Sequence, residues 1–221
     1  MKPNNHWLLP DDIDELLPPE AQRVESIKRK LLDLYDLWGY EFVNPPIIEY
    51  LDSLLTGTGS DLDTQTFKLT DQVSGRMMGI RADTTPQVAR IDAHKLKRET
   101  PTRLCYMGTV LRTRADSLDG SRNPFQVGAE LFGHDGIASD VEILQLMQET
   151  IRTAGIESQH LDLGHVGGDG PQVRDRAQAA HDAADAERVG DGLAQAVLLG
   201  HLEVDDRRGF VAAHLDGVDD V

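Results

Sequence analysis

A single cysteine, few aromatic residues and a shortage of positive charge set the first limits on this 221-residue chain. With Cys105 alone there is no disulfide framework and no Cys-based zinc spacing. Lys and Arg number 22 against 38 Asp and Glu, a formal net charge of -16. Phosphate neutralisation needs clustered cations, so nucleic-acid binding is not expected as the main activity, although a local basic cleft remains compatible with this balance. No long apolar run and no signal-peptide pattern follow the polar start "MKPNNHW", and a soluble, cytoplasmic protein without a membrane span is expected. The eight histidines form neither a His-x-x-x-His pair nor a Glu-flanked one, so no metal site is expected. No cofactor is expected either.

A more local absence divides the chain. Residues 169–221 contain no Lys, Ile, Ser, Thr, Asn, Met, Tyr, Trp or Cys, and carry twelve acidic residues against five arginines. The change falls within a few residues of "LDLGHVGGDG", and the expected organisation is an ordered part, 1–166, followed by an aberrant acidic tail, 167–221. Such a tail is expected to be disordered, because it has little apolar surface to repay its ordering entropy. Its residue types are those with GC-rich codons, which points to a shifted reading frame; a genuine acidic extension is the alternative.

The ordered part has regular periodicity. Val24, Ile27, Leu31, Leu34 and Trp38 recur at helical spacing, with prolines ahead of them and Gly39 at the stop. "YEFVNPPIIEY" is predicted as a strand that ends or bends at Pro45-Pro46. "TGTGSDLDTQ" reads as a flexible loop, lacking the Gly-Lys-Ser/Thr ending of a phosphate-binding loop. "TFKLTDQVSGRMMGIRA" suggests a hairpin turning at 73–75. "DTTPQVARIDAHKL" opens a helix with Thr84 or Thr85 as cap and Pro86 in its first turn. Two further strands, "TRLCYMGTVLRTRA" and "PFQVGAELFG", flank a polar loop. A helix over about 137–154 and a strand "HLDLGHV" follow. This order predicts an α+β domain on a mixed, mostly antiparallel sheet flanked by helices.

The last of those strand pairs carries the chemistry. Strand side chains alternate faces, so Gln126, Gly128 and Glu130 share one side. Glycine inside a strand weakens it and often marks close approach of a ligand or another backbone. The neighbouring strand has Gly108 on a face that also bears Tyr106, Arg112 and Arg114. If the two faces align they form a polar trough with a cation at one end and a carboxylate at the other. Asp83, just before the helix start, adds a second carboxylate. A zwitterion suits this arrangement, its ammonium at Asp83 and Glu130 and its carboxylate, or a phosphate, at Arg112. Solvated edge charges are the alternative for the arginines, and plain packing in a strand for Cys105.

"GYEFVNPPIIEY", "RADTTPQVARIDAH", "RLCYMGTVLRTR" and "QVGAELFG", in that order, resemble the catalytic domain of histidyl-tRNA synthetases, a class II aminoacyl-tRNA synthetase fold. They are more similar still to its non-synthetase relatives, the regulatory subunits of ATP phosphoribosyltransferase. The resemblance runs over about residues 6–166, so the class II domain would be truncated. It implies that the helix and strand around Gly39 and Pro45-Pro46 build a self-association interface. It implies a histidine pocket at Asp83, Thr85, Arg112, Gln126 and Glu130. It also implies a short-form catalytic ATP phosphoribosyltransferase as partner, histidine as effector, and no catalytic residue in this chain. An active synthetase has Arg-x-Glu where this chain reads Arg112-Thr113-Arg114, and no later synthetase motif or anticodon domain follows. A truncated synthetase-like fragment and a non-functional product are the other readings.

Overall fold

In a computed structural model, residues 8–56, 60–115, 120–134, 136–156 and the backbone of 202–203 are described. The expected strand "HLDLGHV" and nearly all of the acidic tail lie outside them, as do the glycines of "TGTGS".

Helix α1, Glu20–Leu37, ends where predicted: Gly39 takes φ +78°, and the Tyr40 amide reaches back to the Tyr35 carbonyl at 2.9 Å. Its inward stripe is Leu31 and Tyr35, both buried, with Ile27, Leu34 and Trp38 packed alongside. Helix α5, Ile137–Thr153, lays Ile143, Leu146, Met147 and Ile151 against the same core. The two helices cover one face of a sheet through Cys105, Met107 and Val127. Thr150 ties them directly, its hydroxyl 3.3 Å from that of Tyr35.

The prolines divide one expected strand into two that serve different sheets. β1, Glu41–Phe42, runs parallel to β5, Thr102–Thr109, and forms the edge of a sheet ordered β1-β5-β6-β7. β2, Ile48–Tyr50, joins a three-stranded sheet with the hairpin β3, Phe67–Thr70, and β4, Met77–Ile80. The single mixed sheet of the sequence reading is therefore two sheets, mixed in one case and antiparallel in the other. The hairpin turns as expected, with Gly75 at φ +73°. Short α2, Leu51–Leu54, follows β2, and α3, Ser60–Gln65, forms a helix within the stretch read as loop. The hydroxyl of Thr66 caps the end of α3 by bonding the Leu62 carbonyl at 2.7 Å.

β5 pairs antiparallel with β6, Phe125–Phe132, over their full eight residues. Leu202–Glu203, β7, adds to the far side of β6 at Gln126–Val127. Beyond Thr109 the chain leaves the strand that the sequence suggested would carry Arg112 and Arg114. Its amides turn to new partners: Leu111 to the Arg81 carbonyl, Arg112 to Arg122, and Thr113 to Gln65. Arg112 thereby crosses toward β3, bridging to Thr66, and is buried, whereas Arg114 is exposed.

Candidate functional site

The register of β5 and β6 settles whether the two glycine-bearing faces align. Gly108 lies opposite Gln126, Tyr106 opposite Gly128, and Leu104 opposite Glu130. All six therefore share one face, the side away from α1 and α5. Helix α4, Thr85–Ile91, with a π-helical turn Asp92–Leu96 after it, closes over this face through Val88, which packs with Leu104 and Tyr106.

The glycine gaps are not open. A Cβ on Gly128 would sit 2.2 Å from Cζ and 2.3 Å from the hydroxyl of Tyr106, whose ring fills the space. A Cβ on Gly108 would meet the Arg81 guanidinium at 2.4 Å. The trough expected from the sequence is thus floored by this chain's own side chains. Arg81 is buried, donating to the Pro45 carbonyl at 2.9 Å and twice to the Thr109 carbonyl. Burial alone lowers its proton affinity, opposed by Tyr106. Gln87 from α4 reaches the Pro46 carbonyl at 2.8 Å, so both proline carbonyls are held from the same side.

Over this floor four of the five expected residues form one hydrogen-bonded cluster. Asp83 Oδ1 accepts from the Thr85 amide at 3.0 Å and from Gln126 Nε2 at 2.8 Å. Gln126 Oε1 in turn accepts the Thr84 amide at 3.0 Å. Asp83, rather than either threonine, therefore provides the side-chain oxygen at the start of α4. That frees the Thr85 hydroxyl, which lies 3.0 Å from Glu130 Oε1 and 2.8 Å from the Tyr106 hydroxyl. Tyr106 is also 3.3 Å from the same Glu130 oxygen. The fifth residue, Arg112, donates from Nε to the Ala82 carbonyl at 3.4 Å, next to Asp83.

Glu130 is 1% exposed, and its Oε2 is buried without a hydrogen-bond partner among the described residues. Its carboxyl is pushed up to about 8: burial raises it most, Asp83 adds to the rise, and the hydroxyls of Thr85 and Tyr106 act against it. The Tyr106 hydroxyl is held well above its ordinary value by burial and then by the Glu130 and Asp83 charges. A buried acid with an unsatisfied oxygen, beside a second carboxylate, is a site built to gain from an incoming cationic donor.

Tyr106 and Arg81 escaped the sequence reading as site residues. For Tyr106 the signal was present, since it stands on a strand face with Gly108 and the register places it opposite Gly128; Arg81 follows β4, and strand alternation does not point to it. Cys105 behaves as expected, buried on the helix-covered face with its thiol raised to about 12 by burial. A separate surface depression of about 590 Å³ lies beside β1, lined among others by Asp33, Asp36, Glu41 and Phe42. Among the described residues no group of three or more His, Cys, Asp and Glu side chains could hold a metal ion, and no helix is long and apolar enough to cross a membrane.

An antiparallel pair carrying the acid cluster, a parallel edge strand before it and a helix start above it define an α+β domain of the class II synthetase type. A solved structure described as an ATP phosphoribosyltransferase regulatory subunit/histidyl-tRNA synthetase from Bacillus halodurans superposes with a TM-score of 0.62 at 30% identity, covering 71% of this chain and 40% of the other. A histidine–tRNA ligase subunit from Alicyclobacillus acidocaldarius gives 0.58 at 27% identity, over 68% of this chain and 43% of its own. The family model for histidyl-tRNA synthetase matches residues 12–185, and the chain belongs to that family. ATP phosphoribosyltransferase regulatory subunits are similar at higher identity: 68% over 166 residues in Thioalkalivibrio sulfidiphilus and 65% over 164 in Alkalilimnicola ehrlichii. These alignments cover 75% and 74% of this chain but 42% and 41% of the relatives. The chain thus spans about two fifths of the length of the curated relatives it matches.

Proposed function

We propose that this chain acts as a non-catalytic regulatory subunit of ATP phosphoribosyltransferase, in the first step of histidine biosynthesis, and that it binds histidine as effector. The names and high identity of its relatives support the subunit and a catalytic ATP phosphoribosyltransferase as its partner, which we take to be the short form. The carrying observation in the structure is the cluster of half-buried Asp83 with buried Thr85, Gln126 and Glu130, and Arg112 beside it. A histidine ammonium or imidazole N–H supplies what Glu130 lacks, and the Arg112 guanidinium suits the ligand carboxylate. Bound histidine can shift the assembly only by its differential affinity for two arrangements. Arg114, exposed where a synthetase of this family would carry an acid, favours the regulatory reading over an aminoacylating one.

Calorimetry with histidine tests the pocket. Glu130→Ala is expected to cost about 2–5 kcal/mol of binding, the usual effect of stripping one partner from a desolvated charge pair. Unchanged affinity in that variant would place the ligand elsewhere.

A further inference from the structure

Tyr106 is fully buried, and the acid cluster is arranged around it. Its ring takes the volume that Gly128 leaves, and its hydroxyl contacts both Thr85 and Glu130 Oε1. One oxygen of Glu130 therefore has two hydroxyls beside it, while Oε2 is buried with no partner among the described residues. That asymmetry has a physical consequence. A carboxylate free to rotate would share its donors between its oxygens, whereas one anchored through a single oxygen presents the other in a fixed direction. An unsatisfied buried acceptor is where a new donor gains most.

We propose that Tyr106 is a positioning residue: its hydroxyl, hydrogen-bonded to that of Thr85 and close to the same Glu130 oxygen, holds that oxygen in place and leaves the other to receive a cationic N–H of the bound amino acid. The pocket is the one assigned to histidine above, and the proposal rests on that reading for the identity of the ligand. Among the described residues the groups that face or act on Glu130 are few, with Tyr40 a more remote one. Thr85 and Asp83 lie at the start of α4, Tyr106 stands on β5, and Leu104, directly across the sheet, is apolar. Asp83 opposes ionisation of Glu130, and the two hydroxyls favour it. Taking away the Tyr106 hydroxyl is expected to make the carboxyl still harder to ionise and to free it to turn.

The test uses Tyr106→Phe in the full chain, a change that keeps the ring over Gly128. The Glu130 carboxyl is followed by carbon-13 NMR in ligand-free protein, and histidine binding is measured from about pH 6 to about pH 9. The expected result is a Glu130 titration moved to higher pH, together with a loss of affinity of about tenfold near neutrality that narrows as pH rises. Site-specific 3-fluorotyrosine at 106, a stronger donor of nearly the same shape, should move the titration the other way, and it serves as the test if the phenylalanine variant does not fold. An unmoved Glu130 titration in either variant, with affinity lost equally at every pH, would reduce Tyr106 to a packing role and overturn the proposal. A titration that follows Tyr106 in a protein that binds no histidine would uphold the positioning role and sink the histidine reading instead.

Discussion

Glu130 illustrates how one residue can be both expensive to bury and useful. Burial of the carboxyl favours the protonated form, and the neighbouring Asp83 adds to that preference. The folded-state value of about 8 lies above the ordinary 4.5. The native state therefore holds a proton over this window that the unfolded chain has released, and stability falls as pH rises. The contribution is complete below the unfolded value and is lost as pH climbs through the folded one. Urea denaturation of ligand-free protein at about pH 5, 6.5 and 8 should show this decline. Glu130→Gln, neutral throughout, should flatten it by an amount on the order of a few kcal/mol. A decline identical in the variant would assign the pH dependence to another group.

At the scale of elements, Gly128 on β6 has no room for a side chain, because the Tyr106 ring of β5 fills the space beside it. Gly128→Ala drives a methyl into the Tyr106 ring, which is fully buried in a cluster with Val88 and Leu104. A loss of about 1–3 kcal/mol is expected from such overpacking, read as a lower urea midpoint with an unchanged slope. Gly128→Ala in a Tyr106→Phe background should recover little, because Cζ is as close as the hydroxyl; full recovery would show that the hydroxyl alone is at fault. These strands also show what was legible beforehand. Helix α1, the hairpin turn at Gly75, the α4 start and the pairing of β5 with β6 follow from periodicity and turn residues in the sequence. So does the shared face of Gln126, Gly128 and Glu130. Three things did not follow. The division of β1 and β2 between two sheets is a tertiary choice, for which Pro45-Pro46 marks only the break. The departure of Arg112 from β5 depends on partners at Arg81, Arg122 and Gln65 that are distant in sequence. The occupant of the Gly128 gap depends on register, which alternation along a single strand cannot specify, and that of the Gly108 gap on a tertiary approach of Arg81.

At the scale of the whole molecule the unfinished surface lies around β1. It is a two-residue edge strand with its outer side unpaired among the described residues, and Phe42 is 50% exposed upon it. Leu37 and Ile47, 84% and 49% exposed, flank it in sequence, and the depression lined by Asp33, Asp36, Glu41 and Phe42 lies alongside. Open edges carrying apolar side chains are places where another chain adds on. The self-association that the family resemblance implies for this region would also reach the acid cluster. The carbonyl of Pro45 is held by Arg81 and that of Pro46 by Gln87, and Arg81 begins the turn that carries Asp83 and Thr85. An interface that shifted Pro45-Pro46 would therefore act on the residues proposed to hold histidine. Phe42→Glu places a charge at the edge without touching the core or the cluster. By sedimentation velocity it should convert an oligomer of the parent chain to monomer while the melting temperature of the monomer stays within a few degrees, as expected for a surface change. An oligomer that survives this substitution would move the interface away from β1, and with it the proposed route from interface to pocket.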